Sequence, residues 1–188
     1  MYNKRQNKNV TIGVFGLGYI GLPRCIQFAK KKFKVIGFDN DKKKINLLKL
    51  NKSYLTTVND EDIKKLRKQS FELTSDYSRV KDLDVIIFCL PTPLKRGKPD
   101  LSYIKKTLQK IKNYLKKKQL ISLESTSYPG TTEEEICKPI SKQFTIGKDF
   151  YVCFSPERDD PGRNQDNYFI PRITSGKTSS CAKKAFQI

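Results

Sequence analysis

The sequence predicts an α/β fold built on a doubly wound, mostly parallel sheet, and three observations carry that prediction. Short apolar, β-branched runs alternate with segments whose apolar residues recur at helical spacing. The first of these runs ends in a glycine-rich turn that opens a helix. Residues 84–90, Asp-Val-Ile-Ile-Phe-Cys-Leu, are continuously apolar after the Asp, as a strand covered on both faces must be.

Each element follows in order. Residues 10–15 form a strand entering a tight turn at Gly16. Residues 22–31 read as a helix, because Pro23 falls in a first turn, where a missing N–H is tolerated. Residues 34–38 form a second strand, closed by Asp39. Residues 41–51 carry Ile45, Leu47, Leu48 and Leu50 at helical spacing, and residues 60–69 carry Ile63 and Leu66 behind an acidic first turn. Residues 71–74 are a short strand; the strong strand 84–90 is stopped by Pro91-Thr92-Pro93. Asp100 is expected to cap a helix bearing Ile104, Leu108, Ile111 and Leu115. Residues 120–123 are a strand, followed by the turn Tyr128-Pro129-Gly130 and a helix that the pair Thr132 and Glu135 would open as a capping box. Residues 151–154 read as a further buried strand, 160–165 as a loop, 170–174 as a strand and 178–187 as the start of a helix. The expected organisation is a basic extension over 1–9, one α/β domain over 10–176 and the beginning of a helix over 177–188. A sequence that stops within a helical pattern is expected to be a piece of a longer protein.

Composition narrows the chemistry. The 188 residues include 38 Lys or Arg against 19 Asp or Glu and no His, for a formal charge of +19. Without His, neither a Ser-His-Asp triad nor a His-assisted thiol nor a His-ligated zinc site can be built within the chain. The five cysteines are far apart with no Cys-x-x-Cys pair, which argues against a zinc ribbon or redox motif and fits a reducing cytoplasm. No metal site is expected. The longest unbroken apolar run, residues 85–90, is far short of the about 20 residues that span a bilayer, and nothing near the start resembles a secretory h-region. The excess charge is mostly Lys, 30 against 8 Arg, in short runs without interleaved aromatics, so solvated faces are expected rather than a specific nucleic-acid surface. The same field attracts anionic ligands, nucleotides included.

Gly16-Leu17-Gly18-Tyr19-Ile20-Gly21 carries the sharpest chemical signal. Gly16 permits the turn out of the strand, Gly18 lets backbone approach a pyrophosphate, and Gly21 lets the helix pack close to the sheet. The amides at the head of that helix, through Tyr19 and Ile20, then face the anion. Asp39 ends the second strand 18 residues past Gly21, where a carboxylate accepts bonds from the hydroxyls of the adenosine ribose. Together these make the βαβ unit of a Rossmann dinucleotide-binding domain. Asp39 would repel a 2′-phosphate, which favours NAD over NADP, although Lys42, Lys43 and Lys44 offset part of that repulsion. Lys44 fits either a contact with the ribose or phosphate or a place on a solvated helix face.

Three further segments fall at expected strand ends on the same side. They are Leu90-Pro91-Thr92-Pro93, Glu124-Ser125-Thr126-Ser127-Tyr128-Pro129-Gly130-Thr131-Thr132-Glu133-Glu134, and Phe154-Ser155-Pro156-Glu157-Arg158-Asp159-Asp160-Pro161-Gly162. With the glycine turn they resemble the nucleotide-sugar 6-dehydrogenases, the UDP-glucose and GDP-mannose dehydrogenase superfamily, over about residues 10–176. The second and third segments look most like the UDP-N-acetylglucosamine 6-dehydrogenase branch.

The resemblance implies an enzyme that removes two hydrides in succession from the C6 hydroxyl of a UDP-sugar, using two NAD, and ends at the uronic acid. It implies Pro91 and Thr92 beside the nicotinamide half of the cofactor, and Thr126 in contact with NAD and near the oxygen at C6. It implies Glu157 in acid-base work during hydrolysis of a thioester, with Glu157 and Arg158 close to the sugar nucleotide. Taken alone, Glu157 and Arg158 also fit a surface ion pair, and Thr126 a turn hydroxyl bonded to its own backbone. The family's nucleophile is a Cys in a Gly-rich motif ending Cys-hydrophobic-Pro, with a Lys and an Asn or Asp, ahead of a long central helix and a UDP-binding domain. No cysteine here has that setting: Cys181 precedes Ala182-Lys183, and Cys137 precedes Lys138-Pro139. The chain is therefore expected to bind NAD without turnover, and the full-length protein to be a homo-oligomer. Two rival readings are the cofactor domain of another β-hydroxyacid-type dehydrogenase and a non-catalytic nucleotide- or polyanion-binding module.

Overall fold

The computed structural model describes residues 10–157 and 172–187. The extension 1–9, Arg158, the loop 160–165 and the start of the strand expected at 170–174 lie outside the described residues.

A seven-stranded sheet forms the centre of the molecule. In chain order its first half is β1 (Thr11–Phe15), α1 (Gly21–Lys30), β2 (Lys34–Phe38), α2 (Lys42–Lys49), α3 (Asp60–Arg67), β3 (Phe71–Thr74) and β4 (Val85–Phe88). A small hairpin, β5 (Leu94–Lys95) and β6 (Lys98–Pro99), then leads into α4 (Ser102–Ile111). The second half comprises β7 (Leu120–Leu123), a π-helical stretch Thr132–Cys137 running into α5 (Lys138–Ile140), β8 (Tyr151–Phe154), β9 (Ser175–Gly176) and α6 (Ser179–Ala185). The sheet order is β3-β2-β1-β4-β7-β8-β9, parallel throughout except that β9 runs antiparallel to β8. The strand order reverses direction between β1 and β4, which opens a crevice at their carboxyl ends.

Side chains alternate across the strands as a pleat requires. Val85 and Ile87 join Ile12, Val14 and Val35 under α1, α2 and α3, against Leu22, Cys25, Ile45, Leu48, Ile63 and Leu66. Ile86 and Phe88 join Phe15, Phe38, Ile121 and Leu123 on the other face, beneath Ile104, Leu108 and Ile111 of α4 and Ile140 of α5. All four residues of β4 are buried, the two-sided cover that its sequence implied. Phe15 stacks on Phe38 with ring centroids 4.2 Å apart and meets Phe88 edge-on at 5.6 Å.

Several details depart from the sequence reading: the strand expected at 170–174 is absent over 172–174 and falls at Ser175–Gly176, and Leu115 lies beyond the end of α4 at Ile111. β4 ends at Phe88 rather than residue 90, because the Leu90 amide turns out of the ladder and donates to Ser125 Oγ at 2.9 Å. The capping box does not form: Thr131 precedes the π-helical stretch without a side-chain cap, and its hydroxyl donates back to the Tyr128 carbonyl at 2.8 Å. Asp100 does satisfy the start of α4, accepting from the Ser102 amide at 2.9 Å, but from one residue before the cap position, which Leu101 occupies. The hairpin was not anticipated; Arg96 and Gly97, at φ 52° and 75°, make its two-residue turn.

Among the described residues, no helix is long and apolar enough to cross a membrane. Ile121, fully buried in the middle of β7, reports on the core. Ile121→Ala should lower unfolding stability by about 3 kcal/mol in urea titrations, the usual cost of a buried Ile-to-Ala cavity.

Candidate cofactor site

The three glycines of the turn after β1 meet different constraints. Gly16 has φ +90°, and a Cβ there would stand 2.5 Å from the Cys89 carbonyl oxygen. A Cβ on Gly21 would stand 1.8 Å from the Gly16 carbonyl oxygen, so α1 can approach the turn this closely only without a side chain. At Gly18 no atom lies within 4 Å of the Cβ position, which leaves the backbone open to a ligand. The amides preceding and opening α1 have no carbonyl four residues back within the helix, and the helix dipole adds partial positive charge there. Tyr19 projects outward, half exposed, and Ile20 sits at the cap position. A half-buried glycine backbone with open space beside it, at the head of a ten-residue helix, fits the pyrophosphate of a dinucleotide.

Asp39 follows β2 and is only 8% exposed. Its Oδ2 accepts from the Leu17 amide and its Oδ1 from the Asp41 amide, each at 2.9 Å. A carboxylate offers about four lone-pair sites, so both oxygens keep capacity for ribose hydroxyls. Lys44 Nζ stands 3.7 Å from Asp39 Oδ2, which turns Lys44 toward the site and away from the purely solvated alternative. Lys42 and Lys43 are exposed.

Across the crevice, Pro91 is exposed and Thr92 half-buried after β4, and Thr126 is exposed after β7. Ser125, beside Thr126, is buried; it accepts from the Leu90 amide and donates to the Phe88 carbonyl at 3.2 Å, stitching the two loops together. Glu157 comes just after β8, its backbone amide bonded to the Glu124 carbonyl at 3.4 Å.

Among the described residues, Glu157 belongs to a ring of four charges. Arg24, in α1, donates from Nε to Glu124 Oε2 at 2.9 Å and from Nη2 to Glu157 Oε2 at 2.5 Å. Arg172 donates from Nη1 to the same Glu124 oxygen at 3.2 Å and from Nη2 to the same Glu157 oxygen. Arg24, Glu124 and the Glu157 side chain are nearly buried. The ring ties the cofactor-side helix to the loops after β7 and β8. Sequence reasoning missed Arg24, Glu124 and Arg172. The available signal was Arg24 itself, a charge set between Leu22 and Cys25 on the buried side of a helix, where an unpartnered cation is too costly to persist.

The thiols form no such site. Burial pushes Cys137 up to about 12 and Cys153 up to about 11, and it pushes Cys25 and Cys89 well above the ordinary thiol value. Among the described residues, no group of three or more His, Cys, Asp or Glu is placed to hold a metal ion.

A doubly wound sheet with a glycine turn and an acid at adjacent strand ends defines a dinucleotide-binding domain of the NAD-dependent class. Comparison with known proteins makes this specific. The chain belongs to the UDP-glucose/GDP-mannose dehydrogenase family, whose NAD binding domain matches residues 10–188. It is 37% identical over 179 residues to the UDP-N-acetyl-D-glucosamine 6-dehydrogenase of Salmonella typhi, covering 93% of this chain and 41% of that protein. It is 39% identical over 175 residues to Protein CapL of Staphylococcus aureus, covering 90% of this chain and 40% of that protein. The crystal structure of NDP-N-acetyl-D-galactosaminuronic acid dehydrogenase from Methanosarcina mazei Go1 matches with a TM-score of 0.85 at 33% identity, over 98% of this chain and 42% of that one. The chain thus spans about two fifths of the length of these relatives. Its cofactor is NAD.

Asp39→Ala removes one clamp on the glycine turn and the carboxylate expected to accept from the cofactor's ribose. It should weaken NAD binding about 10- to 100-fold in calorimetry while the cooperative thermal transition persists. Cys25, Cys89, Cys137 and Cys153 should react with iodoacetamide at pH 7.5 far more slowly in the native chain than in guanidinium, as read by intact mass.

Proposed function

We propose that this chain is the cofactor-binding part of a UDP-sugar 6-dehydrogenase that oxidises the C6 hydroxyl of UDP-N-acetylglucosamine or a close relative to a carboxylate. The observation that carries the reading is the meeting, at one sheet edge of a family member, of the glycine turn and Asp39 with the loops bearing Thr92, Thr126 and Glu157. Relatives named as UDP-N-acetyl-D-glucosamine and UDP-N-acetyl-D-mannosamine dehydrogenases support the substrate class.

In this reading Gly16, Gly18, Tyr19, Ile20 and Gly21 hold the pyrophosphate, and Asp39 and Lys44 the adenosine ribose. When bound, NAD supplies the acceptor for hydride from C6. Pro91 and Thr92 line the nicotinamide end of the crevice. Thr126, exposed on its turn, offers a hydroxyl to the cofactor and to the oxygen at C6. Glu157 is oriented by Arg24 and takes part in proton transfer during the hydrolytic step, with Arg158 near the anionic substrate. The net positive charge of the chain draws in the diphosphate of a UDP-sugar.

The described thiols that burial holds protonated are poor nucleophiles, so covalent chemistry at C6 needs a thiolate from outside these positions. The chain by itself should therefore bind NAD saturably yet release no NADH when mixed with UDP-N-acetylglucosamine or UDP-N-acetylmannosamine, followed by NADH absorbance. A steady-state rate from the purified chain would show that a nucleophile is present after all. Saturation by duplex DNA that survives moderate salt, with no NAD binding, would favour the polyanion-binding alternative instead.

A further inference from the structure

Several bonds fix the glycine turn, and one of them comes from outside the βαβ unit. The Gly16 amide donates to the Phe38 carbonyl at 2.8 Å, which merely extends the ladder. The Leu17 amide donates to Asp39. The Leu17 carbonyl accepts from the hydroxyl of Tyr54, which belongs to the loop between α2 and α3. The Tyr54 ring packs against the core under α1, with Lys44 Nζ 5.6 Å from its centroid and Asp39 close enough to disfavour ionisation of its hydroxyl, which burial disfavours most.

Peptide planarity gives the Tyr54 contact its reach. The carbonyl of Leu17 and the N–H of Gly18 belong to one trans peptide and point in opposite directions. Holding the carbonyl on Tyr54 therefore aims the Gly18 N–H away from Tyr54. Gly18 is also the residue whose Cβ position is open. The following peptide is fixed separately, since the Gly18 carbonyl accepts from the Leu22 amide at 3.1 Å as α1 begins. The Leu17–Gly18 plane is thus a joint between a strand-anchored half of the turn and a helix-anchored half. Gly18, on one side of that joint, imposes little dihedral restraint.

We propose that Tyr54 is a positioning residue for the coenzyme, its hydroxyl setting the Leu17–Gly18 peptide so that the Gly18 N–H is presented to the pyrophosphate. The role concerns diphosphate-bearing ligands, NAD and ADP alike, and leaves the adenosine end to Asp39. It rests on NAD occupying this crevice.

The test compares the wild-type and Tyr54→Phe chains by calorimetry with NAD and ADP, by ligand-observed NMR with adenosine, and by thermal melting. NAD and ADP should weaken about fivefold, the worth of one lost hydrogen bond. Adenosine affinity should be unchanged, the melting temperature should fall by only a few degrees as the same bond is lost from the folded chain, and the Gly18 amide resonance should broaden in the variant as its peptide gains freedom. Unchanged NAD affinity in the variant overturns the role of Tyr54 while leaving the cofactor assignment intact. So does an equal loss for adenosine, which would mean a direct adenine contact or a general disturbance. A wild-type chain that fails to bind NAD overturns the cofactor assignment and this role together. Should Tyr54→Phe not fold, ring-fluorinated tyrosine at position 54 keeps the ring and strengthens the donor. NAD should then tighten and adenosine should not; no change in NAD affinity overturns the proposal.

Discussion

Everything at the site depends on neighbouring parallel strands ending in one row. The register pairs Phe15 with Phe38 and with Phe88, Phe88 with Leu123, and Leu123 with Phe154, so β2, β1, β4, β7 and β8 stop together. The ladder then runs one residue further: the amides of Gly16, Cys89, Glu124 and Ser155 donate to Phe38, Phe15, Phe88 and Leu123. Residues scattered from position 16 to 157 thereby begin their loops from a common line. A one-residue slip of β4 would exchange its two apolar faces and move the Pro91-Thr92 segment along the edge; it would also set Phe88 among the partners of Val85 and Ile87, and close packing resists that change of shape.

The ring of Arg24, Glu124, Glu157 and Arg172 ties that edge together after the ladder ends. Among the described residues two cations and two anions alternate there, and its interior members are nearly removed from water. Such an arrangement adds little net stability over well-packed apolar side chains, yet loss of one member leaves a stranded charge and costs about 3–5 kcal/mol. Its consequence here is geometric. Arg24 lies on the helix that follows the glycine turn, and it grips the carboxylate that follows β8. The helix after the glycine turn and the loops after β7 and β8 are thereby held in a fixed relation.

Much of this was legible in the chain. The strands, the helices with apolar stripes and the order strand, glycine turn, helix, strand, acid follow from local periodicity and from residues with few conformational alternatives, such as Gly16. The misreadings share a cause. The capping box at Thr132 failed because the π-helical stretch already begins at Thr132, and the hydroxyl of Thr131, which holds the cap position, is spent on the Tyr128 carbonyl. The strand through residue 90 was cut short because a distant hydroxyl, that of Ser125, captured the Leu90 amide. The Ser125 hydroxyl, 35 residues from Leu90, lies outside any window of neighbouring residues, whereas the Tyr128 carbonyl lies within one and shows that even local acceptors compete.

What the sequence determined by itself was the class of fold and the places of the glycine turn and of the acid after β2, since these rest on spacing within about thirty residues of chain. Which charges would meet was decided only by the tertiary structure. Arg24 finds Glu124 one hundred residues away and Glu157 still further, and Tyr54 reaches back to the carbonyl of Leu17. Such partners are fixed by strand order and helix placement, which bring long-separated residues within a few ångströms and leave buried polar atoms no water to bond with in their stead.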